Sequence, residues 1–309
     1  MLRLILKRVV NMVPTIAGVA LVVFVLFSVI PGSFISSLMD DGRGGMDPAV
    51  VERMRRELGL DDPVAVRIVR YLGQLVVGDL GTSFRTREPV SRLIGQRLGA
   101  SLELTFAAMG FAMLVGIPLG FYAALRPGSL IDTAAMIAAV SGLSLPKFWL
   151  GLMLMYLFAE YLHWLPSFGY GGWEHLILPA LALGVSPMAL LARTTRASVL
   201  EVINADFVRT ARSKGMSETR VVTWHVARNA LLLVLTTVGL QFGALMGQAV
   251  VVEKLFSWPG LGGLLVDSVV QRDIPAVQGC ILVIVLFFLV INMLVDIAYV
   301  VIDPRIRAG

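Results

Sequence analysis

Six apolar stretches decide what this chain of 309 residues can become. They lie at 9–30, 104–125, 129–163, 175–192, 229–252 and 277–301. Most are about 20 residues long, enough to cross a hydrocarbon layer of ~30 Å. Inside such a layer no water satisfies backbone N–H and C=O groups, so each stretch must be a helix. Composition agrees: 57% of residues are hydrophobic and 15% charged, where a soluble domain carries roughly 25% charged. A soluble enzyme is therefore excluded. The net charge of +5 does not point to nucleic acid, because the basic residues gather beside the apolar stretches, as membrane orientation requires. The expected fold class is an all-α membrane protein with six transmembrane helices. A single cysteine, Cys280, rules out an internal disulfide.

The chain falls into three parts: residues 1–30, 31–99 and 100–309. Arg3, Lys7 and Arg8 precede the first span and hold the amino end in the cytoplasm. That span is too long for the apolar core of a signal peptide and is expected to stay uncleaved. Residues 31–99 form the one long hydrophilic region, expected outside the cytoplasm as a small helical insertion. Asp47 with Pro48 predicts a helix to Leu58; Asp62 as cap with Pro63 predicts another to Val77. Gly78-Asp79-Leu80-Gly81 reads as a turn, and Pro89 as the start of a third short helix, separate from the span beginning near Leu104. Arg126-Pro127-Gly128 is a tight turn on the cytoplasmic side. The stretch 129–163 is too long for one straight span, and Ser141 to Pro146 supplies a break. Lys147, beside it, either snorkels to an interface or faces a cavity on a substrate path. Tyr161 and Trp164 fit an outer aromatic belt. The segment 253–275 either dips back into the membrane or lies on its outer surface.

Residues 193–228 give the firmest orientation signal. They hold seven Arg or Lys (193, 196, 209, 212, 214, 220, 228) against three acids (201, 206, 218), which places them in the cytoplasm. A helix is expected from about Val199 to Lys214, closed by Gly215 in the left-handed conformation. The Ser217 side chain is expected to cap a second helix running into Trp224, His225 and Asn229. Ala211 is expected to be small because a neighbouring chain's surface closes over it. Two helices hinged at a glycine make a docking platform for an energy-supplying partner. In the fifth span, Gly239, Gly243 and Gly247 recur at four-residue spacing, a stripe that lets helices pack closely in lipid. Gln241 and Gln248 share that span and are expected to face protein or a cavity.

Several chemistries are missing. No G-x-x-x-x-G-K-[ST] occurs, so the chain has no phosphate-cradling P-loop of its own. No H-E-x-x-H occurs, and His163, His175 and His225 are scattered, so no metal site is expected. Ala139-Val140-Ser141-Gly142 lacks the glycine and matching histidine of a serine intramembrane protease. An ATP-independent secondary transporter or channel is the alternative function, but it would be expected to show inverted repeats or paired intramembrane acids.

The motifs resemble those of a known family. They include Ile30-Pro31-Gly32, Leu58-Gly59-Leu60-Asp61, Gly78 to Ser83, Ser144-Leu145-Pro146 with Phe148-Trp149, Ile177 to Leu181, Arg209 to Gly215, Arg228-Asn229-Ala230, and Val251-Val252-Glu253 with Trp258 to Gly262. Together, over essentially the whole chain, they resemble the first of the two permease subunits in bacterial ABC importers of the dipeptide, oligopeptide, nickel and glutathione class. The resemblance implies a type I importer permease fold in the inner membrane. It implies four kinds of contact: a second homologous permease, two ABC ATPases, an extracytoplasmic substrate-binding protein and membrane lipid. ATP and Mg would be bound by the ATPases, with no cofactor in this chain. It also implies that Ala205, Asp206, Phe207, Arg209, Thr210, Ala211, Arg212, Lys214 and Gly215 form the ATPase-coupling segment. Arg209 stands where many importers have Glu, and His225 to Arg228 replaces Ile-x-Leu-Pro; the peptide-type subfamily shares both departures. Ser141, Ser144, Lys147, Gln241 and Gln248 are the candidates for the translocation path.

Overall fold

The structure, a computed structural model, describes residues 2–29 and 62–302. The helix expected over 48–58 lies outside the described residues. Regular structure among those described is helical, apart from one isolated antiparallel bridge between Thr82 and Pro89. In chain order the helices are α1 (Leu2–Val29), α2 (Val64–Val76), α3 (Val90–Leu125), α4 (Leu130–Ser144), α5 (Lys147–Leu154), α6 (Trp173–Ile203), α7 (Asp206–Ser213), α8 (Arg228–Leu255), α9 (Leu261–Val270) and α10 (Ile274–Ile302). α5 continues as the π-helical stretch Met155–Tyr161, and α8 is led into by Glu218–Arg220 and the π-helical Val221–Ala227.

Five described stretches are long and apolar enough to cross a membrane: Arg8–Phe27, Val90–Leu125, Trp173–Ile203, Glu218–Leu255 and Ile274–Ala298. α4 and α5 make a sixth if taken as one span, bent by 107° at Leu145–Pro146. The break expected between Ser141 and Pro146 is therefore present, and Pro146 supplies it by lacking the N–H that would continue the ladder. Several helices exceed their expected spans. α3 begins at Val90 and runs unbroken to Leu125, so the short helix after Pro89 is the first part of a span. No cap or proline interrupts Val90 to Leu104, and two helical glycines cost less than ending a helix in an apolar setting. α6 and the helix Glu218–Leu255 likewise run beyond the apolar stretches that predicted them.

Two compact units divide the chain. One comprises Met1–Gly99 with Gly260–Leu286, the other Ala100–Pro259 with Phe287–Gly309. In the first, Asp62 does not cap α2. Pro63 takes the cap position without a side-chain bond, and Asp62 instead receives Arg70 Nη2 at 2.7 Å. Proline has already fixed the entry backbone, which frees the carboxylate for a neighbour about two turns further on. The turn at Gly78–Gly81 forms as expected, with both glycines left-handed (φ 77° and 80°) and Gly81 N donating to Asp79 Oδ1 at 2.8 Å. Asp273, buried between α9 and α10, accepts from the Ser83 hydroxyl and from Phe84 N at 3.1 Å.

The second unit has its core among α3, α5, α6 and α8, where Leu104, Met109, Leu183, Leu191, Leu245 and Phe256 are buried. α3 and α6 approach backbone to backbone. A Cβ added to Gly116 or Gly120 would collide with the carbonyls of Met188 and Ala192, and one on Gly184 would sit 2.6 Å from the Ala108 oxygen. Glycines four residues apart on α3 thus let two backbones touch, the usual adhesive between helices in lipid. At the far end of α8, Glu253 is buried and Ser101 Oγ of α3 donates to its Oε1 at 2.5 Å. Trp258 Nε1, just past α8, donates to the Ala100 carbonyl at 2.8 Å, so the C-terminal end of α8 is tied twice to α3 at Ala100–Ser101.

Candidate functional site

The expected helix from Val199 to Lys214 is two helices. α6 stops at Ile203, Asn204 Nδ2 donates back to the Leu200 carbonyl at 2.9 Å, and Ala205 is extended (φ −70°, ψ 150°). Asparagine competes with the helix for its own carbonyls and so favours an end. α7 then restarts with Asp206 in its first turn, where a negative charge suits the helix dipole. Its last turn carries Arg212. Gly215 closes it with φ 77°, as expected, and Met216 N reaches back to the Ala211 carbonyl at 3.4 Å.

α7 has two unlike faces. Val208 and Ala211 are buried with Ala124, Val199, Val221, Val226 and Ala230. Ala211 is therefore small because this chain's own helices close over it, which corrects the expectation that a neighbouring chain does so. The other face exposes Asp206, Phe207, Arg209, Thr210, Arg212 and Lys214. Phe207 is 46% exposed, a large apolar ring standing among charges. Trp224 is also exposed, with the Arg228 guanidinium 5.9 Å from its ring centre.

The second helix of the platform also differs from its expectation. Ser217 holds the cap position before Glu218, but its side chain makes no cap bond. The helix it opens is no short element; it continues to Leu255. Across Gly215 a pair of bonds runs from Arg212 to Glu218, Nε to Oε2 at 3.1 Å and Nη2 to Oε1 at 2.7 Å, beside the packing of Val208 and Ala211 on Val221. That hydrogen bond, more than its charge, holds the Arg212 guanidinium above its usual pKa.

The polar residues proposed from sequence for a path divide. Lys147, at the start of α5, donates Nζ to Gln248 Oε1 of α8, so two of the candidates meet. That bond turns Lys147 toward a neighbouring helix. Ser144 Oγ bonds the Val140 carbonyl of its own helix. Ser141 lines an open depression of about 500 Å³ shared by α4 and α6. In that depression Arg196 binds Asp132 with Nε to Oδ1 at 2.5 Å and Nη2 to Oδ2 at 2.8 Å. Gln241 is half-buried on α8. Of the glycine stripe, Gly239 and Gly243 pack as expected: an added Cβ would sit 2.5 Å from Val295 and 2.8 Å from Phe288 of α10. Gly247 departs from it and is exposed.

Sequence reasoning named Glu253 only within a motif and gave it no partner, and it missed Asp132 and Asp273. An acid at the end of an apolar helix is itself a signal, because it must find a partner when buried. It also missed Gly116-Ile117-Pro118-Leu119-Gly120, whose four-residue glycine spacing is the same signal read in α8. Among the described residues no cluster of His, Cys, Asp and Glu is suited to a metal.

Comparison with known proteins converges on one family. The model for the "binding-protein-dependent transport system inner membrane component" matches residues 116–308, and the model for the N-terminal part of such membrane components matches residues 1–105. The chain is 44% identical over 307 residues to the glutathione transport system permease protein GsiC of Salmonella paratyphi A (strain ATCC 9150 / SARB42), covering 99% of each. It is 43% identical over 307 residues to GsiC of Escherichia coli (strain K12), again over 99% of each. Among solved structures, the inward-facing MetNI methionine ABC transporter in its CY5 native crystal form superposes with a TM-score of 0.57 at 19% identity. That match covers 69% of this chain and 97% of the other, and it supports the type I permease fold. A multi-pass helical chain with these matches along its whole length belongs to the binding-protein-dependent transport system inner membrane components, and is a permease subunit of an ABC importer.

Proposed function

We propose that this permease passes small peptides of the glutathione or dipeptide kind and is driven by ATPases that grip α7. The observation that carries the reading is the two-faced α7. Its inner side is locked into the chain by Val208 and Ala211, while its outer side offers Phe207 among Arg209, Arg212 and Lys214. Aromatic and arginine side chains are the usual anchors of protein interfaces. Ala205 and Thr210 flank these anchors, and Gly215 sets the turn. A force on α7 passes to α6 through Val199 and to the helix ending at Leu255 through the Arg212–Glu218 clasp. Two ATPases, a second permease and an extracytoplasmic binding protein complete the machine. ATP and Mg belong to the ATPases, and this chain performs no chemistry. ATP binding shifts a two-state pore because the closed ATPase pair fits one state better than the other.

The cargo follows from two supports. The 43–44% identical relatives are named for glutathione transport. Lys147, bonded to Gln248, places a cation on the candidate path, with Ser141, Ser144 and Gln241 as further candidates. A lysine held by a neutral amide can exchange that bond for a substrate carboxylate. Both termini and residues 193–228 lie in the cytoplasm in this reading, and residues 31–99 outside it.

Uptake of labelled glutathione and dipeptides by cells carrying the complete transporter tests the cargo. Failure of Phe207→Ala to bind the ATPases in pull-down, with the second permease still bound, tests the grip. In a Cys280→Ser background, an impermeant thiol reagent should label Ser36→Cys and spare Ser213→Cys. ATPase retention by Phe207→Ala at the unmutated level would overturn the coupling role.

A further inference from the structure

In the unit formed by residues 1–99 and 260–286, α1, α2 and the start of α10 border a cavity of about 170 Å³. Phe24 and Phe27 supply an apolar wall. Arg67, Arg70, Tyr71 and Gln74 supply donors from one face of α2, at spacings of three, four and seven, and Gln278 supplies another from α10. Among the described residues no acid lines the cavity, although Arg70 Nη2 is already bonded to Asp62 beside it. The Arg67 guanidinium stands over the Phe24 ring, 5.6 Å from its centre, and the Tyr71 ring packs on Phe24 at 5.4 Å. The Tyr71 hydroxyl is buried and has no hydrogen-bond partner among the described residues. Burial pushes its pKa up to about 12, so it is a proton donor at any physiological pH. A buried donor without an acceptor costs free energy, and an occupant with acceptor oxygens would recover it.

The position of the cavity narrows the occupant. Phe24 and Phe27 end the apolar stretch Arg8–Phe27, and Pro275 and Gln278 lie at the start of the stretch Ile274–Ala298. Two membrane-length segments thus end at this cavity, which puts it where hydrocarbon gives way to lipid headgroups.

We propose that the cavity is a phosphate-binding site at the membrane surface, with Arg67 and Tyr71 as the principal donors. A guanidinium offers paired N–H groups that match phosphate oxygens, and the phenol adds a third bond. The phosphodiester of a phospholipid fits the location, its acyl chains running along Phe24 and Phe27. Inorganic phosphate offers the same oxygens without chains.

The test is native mass spectrometry of the full-length chain, purified in detergent and stripped of lipid. Dioctanoyl phosphatidylglycerol, dioctanoylglycerol and inorganic phosphate are added in separate titrations. The phosphatidylglycerol is expected to bind at one saturable site, and Arg67→Gln and Tyr71→Phe should each weaken it by about tenfold, as losing a bond to a charged group implies. Dioctanoylglycerol, lacking the phosphate, should show no such site. Binding of inorganic phosphate that Arg67→Gln removes would assign the site to the free anion and sustain the phosphate chemistry. Equal retention of phosphatidylglycerol by the unmutated chain and Tyr71→Phe, a variant that changes one hydroxyl and keeps the ring, would overturn the proposal. So would equal binding of dioctanoylglycerol. Neither readout depends on transport, so the result stands apart from the proposed cargo and coupling.

Discussion

Arg212 clasps Glu218 with two parallel bonds of 3.1 and 2.7 Å across the left-handed turn at Gly215. Both side chains are well exposed, so the pair adds only about 0.2–1 kcal/mol to stability. Its expected value is geometric, because it bridges α7 and the helix that becomes a membrane span. Glu218→Gln is expected to leave expression and thermal stability unchanged while lowering substrate-stimulated ATP turnover severalfold. Exchanging the pair, Arg212→Glu with Glu218→Arg, should restore part of that coupling. Full coupling in Glu218→Gln would show that the clasp is ornamental.

Gly215 sits at φ 77° with nothing within 4 Å of where a Cβ would stand. The constraint is the backbone alone. Gly215→Asn should be tolerated, whereas Gly215→Val should cost about 1–2 kcal/mol and tilt the platform. Uptake assays on membranes with matched permease levels separate the two, and equal transport by both variants would refute the argument.

Ala211→Asp now carries a different expectation from that of a variant blocking a docking surface. Its side chain would enter the cluster of Val199, Val208, Val221 and Val226, and a buried unpaired carboxylate costs several kcal/mol. The chain itself should lose stability, seen as a lower melting temperature of the purified permease without any ATPase present. An unchanged melting temperature with lost ATPase binding would return Ala211 to the partner interface.

Gly120→Leu is expected to be more damaging than Gly243→Leu. At Gly120 an added side chain meets the backbone of Ala192, which cannot turn aside. At Gly243 it meets the Phe288 ring, 2.8 Å from the added Cβ, which can rotate at a cost. Both should still insert, because apolarity is preserved. Yield of monodisperse protein after detergent extraction ranks them, and the reverse order would place the tighter packing at α8 and α10.

Tyr71 gives a pH dependence. Burial raises its phenol from 10.0 to about 12. The folded state therefore holds the proton more tightly than the unfolded state. The associated stability is complete below pH 10 and is lost as pH rises toward 12. Tyr71→Phe should flatten that decline. Thermal unfolding measured from pH 9 to 11.5 checks it, and parallel declines in both proteins would contradict the assignment.

The sequence by itself determined the helical class, the membrane spans, the break at Pro146, the turn at Gly78–Gly81 and the left-handed Gly215. Each follows from local chemistry: apolar length against water, a missing N–H at proline, a missing Cβ at glycine. Local chemistry also mislabelled some details, setting a boundary before Leu104, a cap at Asp62 and a side-chain cap at Ser217. There the helix simply continued or the side chain found another partner. Only tertiary structure decided which side chains meet. Nothing in the spacing of Lys147 and Gln248, 101 residues apart, says that one bonds the other. Nothing in α7 alone says that Ala211 faces Val199 and Val221 while Phe207 faces out. The sum of long-range packing fixes such pairs, because a helix specifies its own faces but not the neighbour against which each will lie.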